Sequence, residues 1–419
     1  MFGLFKAPDL RNKILFTLFI LLAFRLLAHI PAPGVNVAAL RELLQKNAVL
    51  GLFNLFSGGG FQNFSIVTLS LAPYINASII MQLLTMMVPS LEALSKEGES
   101  GREQINQYTK YLTVPLSFMQ AYGVYFLLST QQGIVQRLDV LSLLALVFTL
   151  TGGSLFLTWI GDLVTERGVG NGISLLIFVG IISNLPSSAL NFIYTINPEN
   201  FFNAVSFLAV TLLVIVGVVL VNEGERNIPL EYGRRGYGSQ TVTNYLPIKI
   251  NQAGVIPIIF AISVVLAPSF LSGPLSQSGV QILKQIGDFL VVNFSSQSPT
   301  FNVAYFLLVF FFTYFYTSVQ FSPQKIADDV KKRGGFIPGI RPGLATQKYL
   351  SFIVSRITLI GALFLGIVAI LPYLVQSGIQ ISTVAVGGTS LLIVVSVVLE
   401  TIRQVESMMV TRNYEKFLT

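Results

Sequence analysis

The sequence predicts an all-α polytopic membrane protein, a bundle of ten transmembrane helices, and three observations predict it. The 419 residues are 53% hydrophobic and only 11% charged, with mean hydropathy +0.71, whereas about a quarter of the residues in ordinary soluble domains are charged. Their apolar runs have the length of about 20 residues that a helix needs to cross a hydrocarbon core of roughly 30 Å, unlike the short alternating segments of a membrane barrel. The cations, finally, sort very unevenly between the two sides of the topology that those runs define.

The elements follow in order. Met1 to Lys13 is short and basic, and Ile14 to Ile30 is the first span. The prolines of "HIPAPGVN" stand where a small-x-small cleavage site belongs, so this run reads as an uncleaved helix and not a signal peptide. Further spans fall at Leu69–Val88, Leu112–Leu128, Val140–Ile160, Ile173–Ile193, Phe201–Val221, Val255–Leu271, Val303–Phe321, Phe352–Val375 and Val384–Thr401. Twenty Lys and Arg then lie on one face, against four (Arg41, Lys46, Arg137 and Lys284) on the other. The positive-inside rule places the richer face and both termini in the cytoplasm. Two cytoplasmic segments, Asn222–Asn251 and Ser322–Lys348, are long, basic and dense in turn formers, as in "EYGRRGYGSQ" and "KKRGGFIPGIRPG". Orientation charge and contact with anionic lipid account for such residues in general. "GFIPGIRPG", however, fixes the backbone around one arginine with two prolines and three glycines, as a loop that presents Arg341 to a docked partner would.

What the sequence lacks is equally informative. There is no cysteine, and His29 is the sole histidine, a residue at the membrane interface beside the end of the first span. No acidic residue lies near the centre of a run: Asp162 and Glu400 sit at span ends, Arg25 has room to snorkel, and Arg356 lies just inside the ninth run. No GxxxxGK[ST] or GxSxG motif is present, and "GVGNG" at Gly168–Gly172 reads as a flexible entry to the fifth span. The expectation is therefore no catalytic set, no metal, no cofactor and no enzyme. The formal charge of +7 needs a basic soluble module to mean nucleic acid, and no polar segment is long enough to form one. Two classes remain: a passive conduit with an apolar lining and an external energy source, or a secondary solute transporter with a five-plus-five inverted repeat.

One external stretch fits neither a span nor a soluble loop. In "GLFNLFSGGGFQNFS" the part up to Phe56 reads as a short half-helix that breaks at Gly58, Gly59 and Gly60, which would serve as its hinge. If it enters the membrane, protein must shield it, because non-helical backbone is tolerated at that depth only there; an ordinary external loop is the alternative. Ile75 and Ile79 share a helical face, as do Ile173 and Ile177, a pattern that any membrane helix can show.

Eight stretches in chain order carry a resemblance: "FRLLAHIPAPGV", "LFNLFSGGG", "APYINASIIMQLLT", "KEGESGREQINQYTKY", "TERGVGNGISLLIF", "LPIKINQAGVIPIIFA", "FTYFYTSVQFSPQKIADDVKKRGGFIPGIRPG" and "GGTSLLIVVSVVLE". With ten spans they resemble the SecY family, the central subunit of the bacterial protein-conducting channel. The resemblance implies an hourglass pore between two pseudo-symmetric five-helix halves, residues 1–200 and 201–419. It implies a waist ring of Ile75, Ile79, Ile173, Ile177, Ile259 and Ile393. A re-entrant plug would occupy about residues 50–64, including Leu52, Phe53, Leu55, Phe56 and the three glycines. A lateral gate between spans two and three and spans seven and eight would use Gln82 and Asn251 as contacts. Arg341, with Arg234 and Arg235, would dock the ribosome and the SecA motor ATPase; the tip after "EYGRR" is shorter than in many relatives and lacks their second basic cluster. Implied partners also include SecE-like and SecG-like membrane subunits, a signal-peptide-bearing polypeptide and the lipid bilayer. The implied site is a plasma or thylakoid membrane.

Overall fold

A computed structural model describes residues 8–33, 35–46, 54, 57–129, 138–196, 198, 201–232, 243–276, 278–294, 298–379 and 388–418. Each of the ten apolar runs is matched by a helix. The spans are α1 (Pro8–Leu27), α3 (Ala72–Met87), α5 (Glu99–Ser129), α6 (Val140–Arg167), the pair α7 (Gly172–Ile182) and α8 (Leu185–Thr195), α9 (Phe201–Glu223), α10 (Ile256–Ser276), α12 (Pro299–Gln320), α14 (Leu344–Ile379) and α15 (Gly388–Leu418). Short helices α2 (Val37–Lys46), α4 (Pro89–Lys96), α11 (Gln281–Asn293) and α13 (Pro323–Lys332) connect them. Among the described residues, six spans are long and apolar enough to cross a membrane by length and composition alone. The other four are α1, which carries Arg11, Lys13 and Arg25, the 16-residue α3, α10, and α15 with its charged C-terminal end.

Several helices depart from their runs for identifiable reasons. α5 starts 13 residues before Leu112, and its 31 residues extend roughly 46 Å, so its polar N-terminal part projects beyond the hydrocarbon. Val88 is extended because Pro89 follows it, and α3 turns by 99° into α4 there. The fifth span is broken at Ser183–Asn184, where Pro186 opens α8.

Close approach of the helices depends on small residues. α1 packs on α6 and α7, α3 on α5, and α5 on α6; in the second part of the chain α10 packs on α12, α12 on α14, and α9 on α14 and α15. The two groups meet along two seams, α10 against α3 and α5, and α15 against α7. A Cβ on Gly153 of α6 would lie 2.0 Å from the Ile66 carbonyl oxygen, and one on Gly172 of α7 would lie 2.0 Å from that of Gly161. Ser154 adds a hydrogen bond of 2.8 Å to the Ser70 carbonyl, so α6 is fixed to the chain that leads into α3.

The two long basic segments are not simple loops: they add a small three-stranded sheet to the helical bundle. β1 (Glu225–Tyr232) pairs antiparallel with β2 (Thr243–Lys249) on one side and with β3 (Gly335–Phe336) on the other. In "ERNIPLEY" Ile228 and Leu230 alternate inward, and with Ile248, Val330, Ile337, Leu350, Ile353 and Val354 they form a separate core at the foot of α14. Pro229 stands opposite Tyr245 of β2, and on its other side β1 is unpaired at that level because β3 reaches only Glu231 and Tyr232, so the proline sits where β1 has one open edge.

The Gly152–Gly153 pair provides a test of the α6 contact. Gly153→Ala should cost about 1–3 kcal/mol or more by overpacking against backbone, seen as a lower melting temperature in detergent. Gly152→Ala, where a Cβ meets nothing within 4 Å, should be neutral or slightly stabilising. Equal melting temperatures for the two variants would contradict the packing described.

Candidate functional site

The six isoleucines arrive from four helices: Ile75 and Ile79 on α3, Ile173 and Ile177 on α7, Ile259 on α10 and Ile393 on α15. All six belong to one large apolar cluster that both groups of helices share and that also holds Phe24, Phe260 and Phe312. Ile79, Ile177, Ile259 and Ile393 are buried in it, and Ile75 and Ile173 are half-buried against it. Their placement begins in the turns that start the helices. Expected as a flexible entry, "GVGNG" is a packed cap instead: Asn171 Oδ1 accepts from the amides of Ile173 and Ser174, at 3.1 and 3.2 Å. The Thr17 hydroxyl of α1 accepts from Val169 N–H at 3.0 Å, and Ile173 backs onto Gly161. The first turn of α7, and with it Ile173 and Ile177, is thus held by α1 and α6.

Beside this cluster lies the glycine-centred segment. Leu52, Phe53, Leu55 and Phe56 lie outside the described residues; Asn54 is helical and Ser57–Gly60 turn sharply. Gly58 has φ +66°, and Gly59 N–H donates to the Asn54 carbonyl five residues back, at 2.9 Å. This is the six-to-one bond of a Schellman cap with glycine in the left-handed position. Asn54 also accepts from Gln62 N–H through its side chain at 2.8 Å, and Phe61 N–H donates to Ser57 Oγ. A Cβ on Gly58 would lie 2.9 Å from Gly180 Cα and 3.1 Å from the Phe24 ring. Far from loose, the three glycines are buried in a hydrogen-bonded turn wedged between α1 and α7. Phe61, Phe64 and Leu69 continue into a second cluster with Val124, Leu128, Leu146 and Leu150 of α5 and α6. Arg25 does not snorkel as the sequence suggested: its Nη1 donates to the Gly58 carbonyl at 2.6 Å.

The two expected gate contacts bond to different partners. Gln82 Nε2 donates to Ser78 Oγ of its own helix at 3.3 Å. Asn251 Nδ2, just ahead of α10, donates to Asn222 Oδ1 at 2.7 Å and to the Gly254 carbonyl at 3.2 Å. Asn222 passes the chain on to Ser396 Oγ of α15 at 2.6 Å, and beside it Arg403 pairs with Glu223 at 2.7 Å. Gln82 and Asn251 each keep an amide oxygen buried without a hydrogen-bond partner among the described residues. Sequence reasoning missed Asn222 and Ser396, which sit 174 positions apart; nothing local marks either as a partner of Asn251.

Beside the sheet, Ile340 N–H donates to the Ile337 carbonyl across Pro338–Gly339, and Gly339 has φ +79°. That is a type II turn with proline and glycine where the turn requires them. Ile337 is buried in the sheet's core, and Arg341 follows the turn exposed, its carbonyl accepting from Thr346 Oγ1 at 3.0 Å. Arg234 and Arg235 lie outside the described residues, between β1 and β2 in the chain. β1 joins the segment that carries them to the segment that carries Arg341. Among the described residues, no three histidine or acidic side chains converge on a metal-sized site.

The family model described as SecY matches residues 65–402. The chain belongs to the SecY family. Over 99% of its length and 98% of the relative's, it is 42% identical to the protein translocase subunit SecY of Mycobacterium leprae. In fold it is similar to a solved SecY channel whose plug domain is described as stabilising the closed state and maintaining a membrane seal. The TM-score is 0.63, identity is 18%, and 96% of this chain and 93% of that one are covered. It is also similar to Sec61 in the canine ribosome-channel complex from the endoplasmic reticulum, with TM-score 0.64, 18% identity and the same two shares covered. Like other SecY-family chains, this is a multi-pass membrane protein.

Proposed function

We infer that this chain is the protein-conducting channel of a translocase, passing unfolded secretory polypeptides across a membrane and releasing apolar segments sideways into it. One observation carries the reading. Six isoleucines from both groups of helices share one large apolar cluster, and a capped, buried turn is packed beside it. A constriction of large apolar side chains favours dewetting, which stops ions and protons, yet the same side chains move aside for any peptide without requiring particular hydrogen bonds. A polar ring would be wet at rest or selective in use.

The remaining parts take consistent roles. Residues 1–200 and 201–419 act as two pseudo-symmetric halves, with the segment about 50–64 as the plug. Opening the seam where α10 meets α3 and α5 exposes the conduit to lipid, and there each Leu or Ile of a passing segment gains roughly 0.3–0.6 kcal/mol while a charge loses about 3. The unpartnered amide oxygens of Gln82 and Asn251 are acceptors available when that seam rearranges. Arg341, with Arg234 and Arg235, forms the cytoplasmic docking face for a ribosome or the SecA ATPase, which supply the energy the channel lacks. SecE-like and SecG-like subunits complete it in a plasma or thylakoid membrane, with both termini cytoplasmic. A solute transporter is the weaker reading, since a membrane-centred acid to carry its coupling ion is missing from the sequence.

Deleting Leu52–Gln62, or replacing Ile79, Ile177 and Ile393 together by Gly, should raise the resting ion conductance of the channel in planar bilayers; unchanged conductance would contradict a plug and ring at these positions. Arg341→Glu should abolish motor-driven export of a secretory substrate while the chain itself still inserts in the membrane. Normal export in that variant would remove Arg341 from the docking face.

A further inference from the structure

We propose that Arg25 is the latch that holds the plug closed, a positioning residue for gating that acts through the backbone carbonyl of Gly58; the proposal rests on the plug assigned above. Arginine inside a spanning helix is costly unless it is paired. Among the described residues the Arg25 guanidinium pairs with no carboxylate, and its partner is the Gly58 oxygen at 2.6 Å. That oxygen belongs to the buried turn Ser57–Gly60. The charge on α1 is therefore matched to a backbone carbonyl of that turn and not to any side chain.

The contact is shaped as well as charged. Gly58 and Gly59 stand at φ +66° and +81°. A Cβ on Gly58 would press on Gly180 of α7, and one on Gly59 would lie 4.0 Å from Arg25 Nη1 and 3.6 Å from Asn184 Oδ1 at the break in the fifth span. The left-handed backbone at both positions favours glycine, and at Gly58 the approach to Gly180 requires it. When this turn leaves, the Arg25 guanidinium loses its partner, which biases the segment to return.

The test reads resting conductance of the full-length chain in planar bilayers. Arg25→Ala should raise the fraction of open time about tenfold or more, as expected for loss of one charge-assisted hydrogen bond, and Arg25→Lys should restore most of the seal. Gly58→Ala, which displaces the acceptor while Arg25 remains, should leak similarly, and the double variant Arg25→Ala/Gly58→Ala should leak no more than the worse single. The idea is overturned if Arg25→Ala is as tight as the parent while deletion of Leu52–Gln62 leaks. Should both be tight, the plug assignment fails with it. If Arg25→Ala does not accumulate in the membrane, Gly58→Ala decides alone, and a parental seal there refutes the latch.

Discussion

A membrane offers no water to unpaired backbone, and this constraint shapes the whole first half of the molecule. Ser57 to Leu71 is non-helical and lies within a chain of membrane helices, so protein must cover it and satisfy its polar groups. α1, α5, α6 and α7 do the covering. Ile66 donates to the Ile30 carbonyl, Ala32 to that of Phe64, and Ser65 to that of Gly60, so the segment is tied both to itself and to the end of the first span. Gly153 lets α6 lie against the Ile66 carbonyl, and Gly180 lets α7 lie against Gly58. Without this housing α3 would have nothing to start from, and Ile75 and Ile79 would not reach the shared cluster.

The aliphatic cluster and the polar contacts around it do different work. Burial of the isoleucines supplies cohesion but no geometry, since apolar contact is non-directional. Direction comes from the few hydrogen bonds at helix ends: Asn171 on α7, and the chain from Asn251 through Asn222 to Ser396 that ties the start of α10 to α9 and α15. α10 is thereby anchored to its own half by polar bonds, while it meets α3 and α5 across the other seam by packing. A seam held by packing between two groups that are each internally bonded is the natural place for the structure to part.

Much of the fold was legible in the sequence because the bilayer fixes one length. Ten apolar runs are each matched by a helix or, at the fifth, by a pair, and the six isoleucines all fall in one apolar cluster. What was illegible depended on partners far along the chain. "ERNIPLEY" and "TNYLPIK" look like charged loop, yet they pair with each other over seven residue pairs, and the apolar side chains that cover them, Val330 to Val354, lie about a hundred residues on. Arg25 near the end of an apolar run suggests snorkelling by the usual logic of long cations; the Gly58 oxygen it meets instead is backbone, which no side-chain pattern records. Glycine richness reads as looseness, yet Gly58–Gly60 and "GVGNG" are both packed turns in this structure. Glycine permits both a hinge and a tight fit, and only the neighbours Gly180, Phe24 and Thr17 decide between them.

The central claim is that a polypeptide passes through the cluster where the isoleucines meet. The most direct measurement places a photoreactive residue, one position at a time, at Ile79, Ile177, Ile259 and Ile393 and illuminates membranes that hold a stalled secretory chain. The account predicts adducts with the stalled chain from all four positions, on both groups of helices, and none from the outward-facing Leu18 or Leu213. Adducts from the outward-facing positions alone, or from one group of helices only, would contradict it.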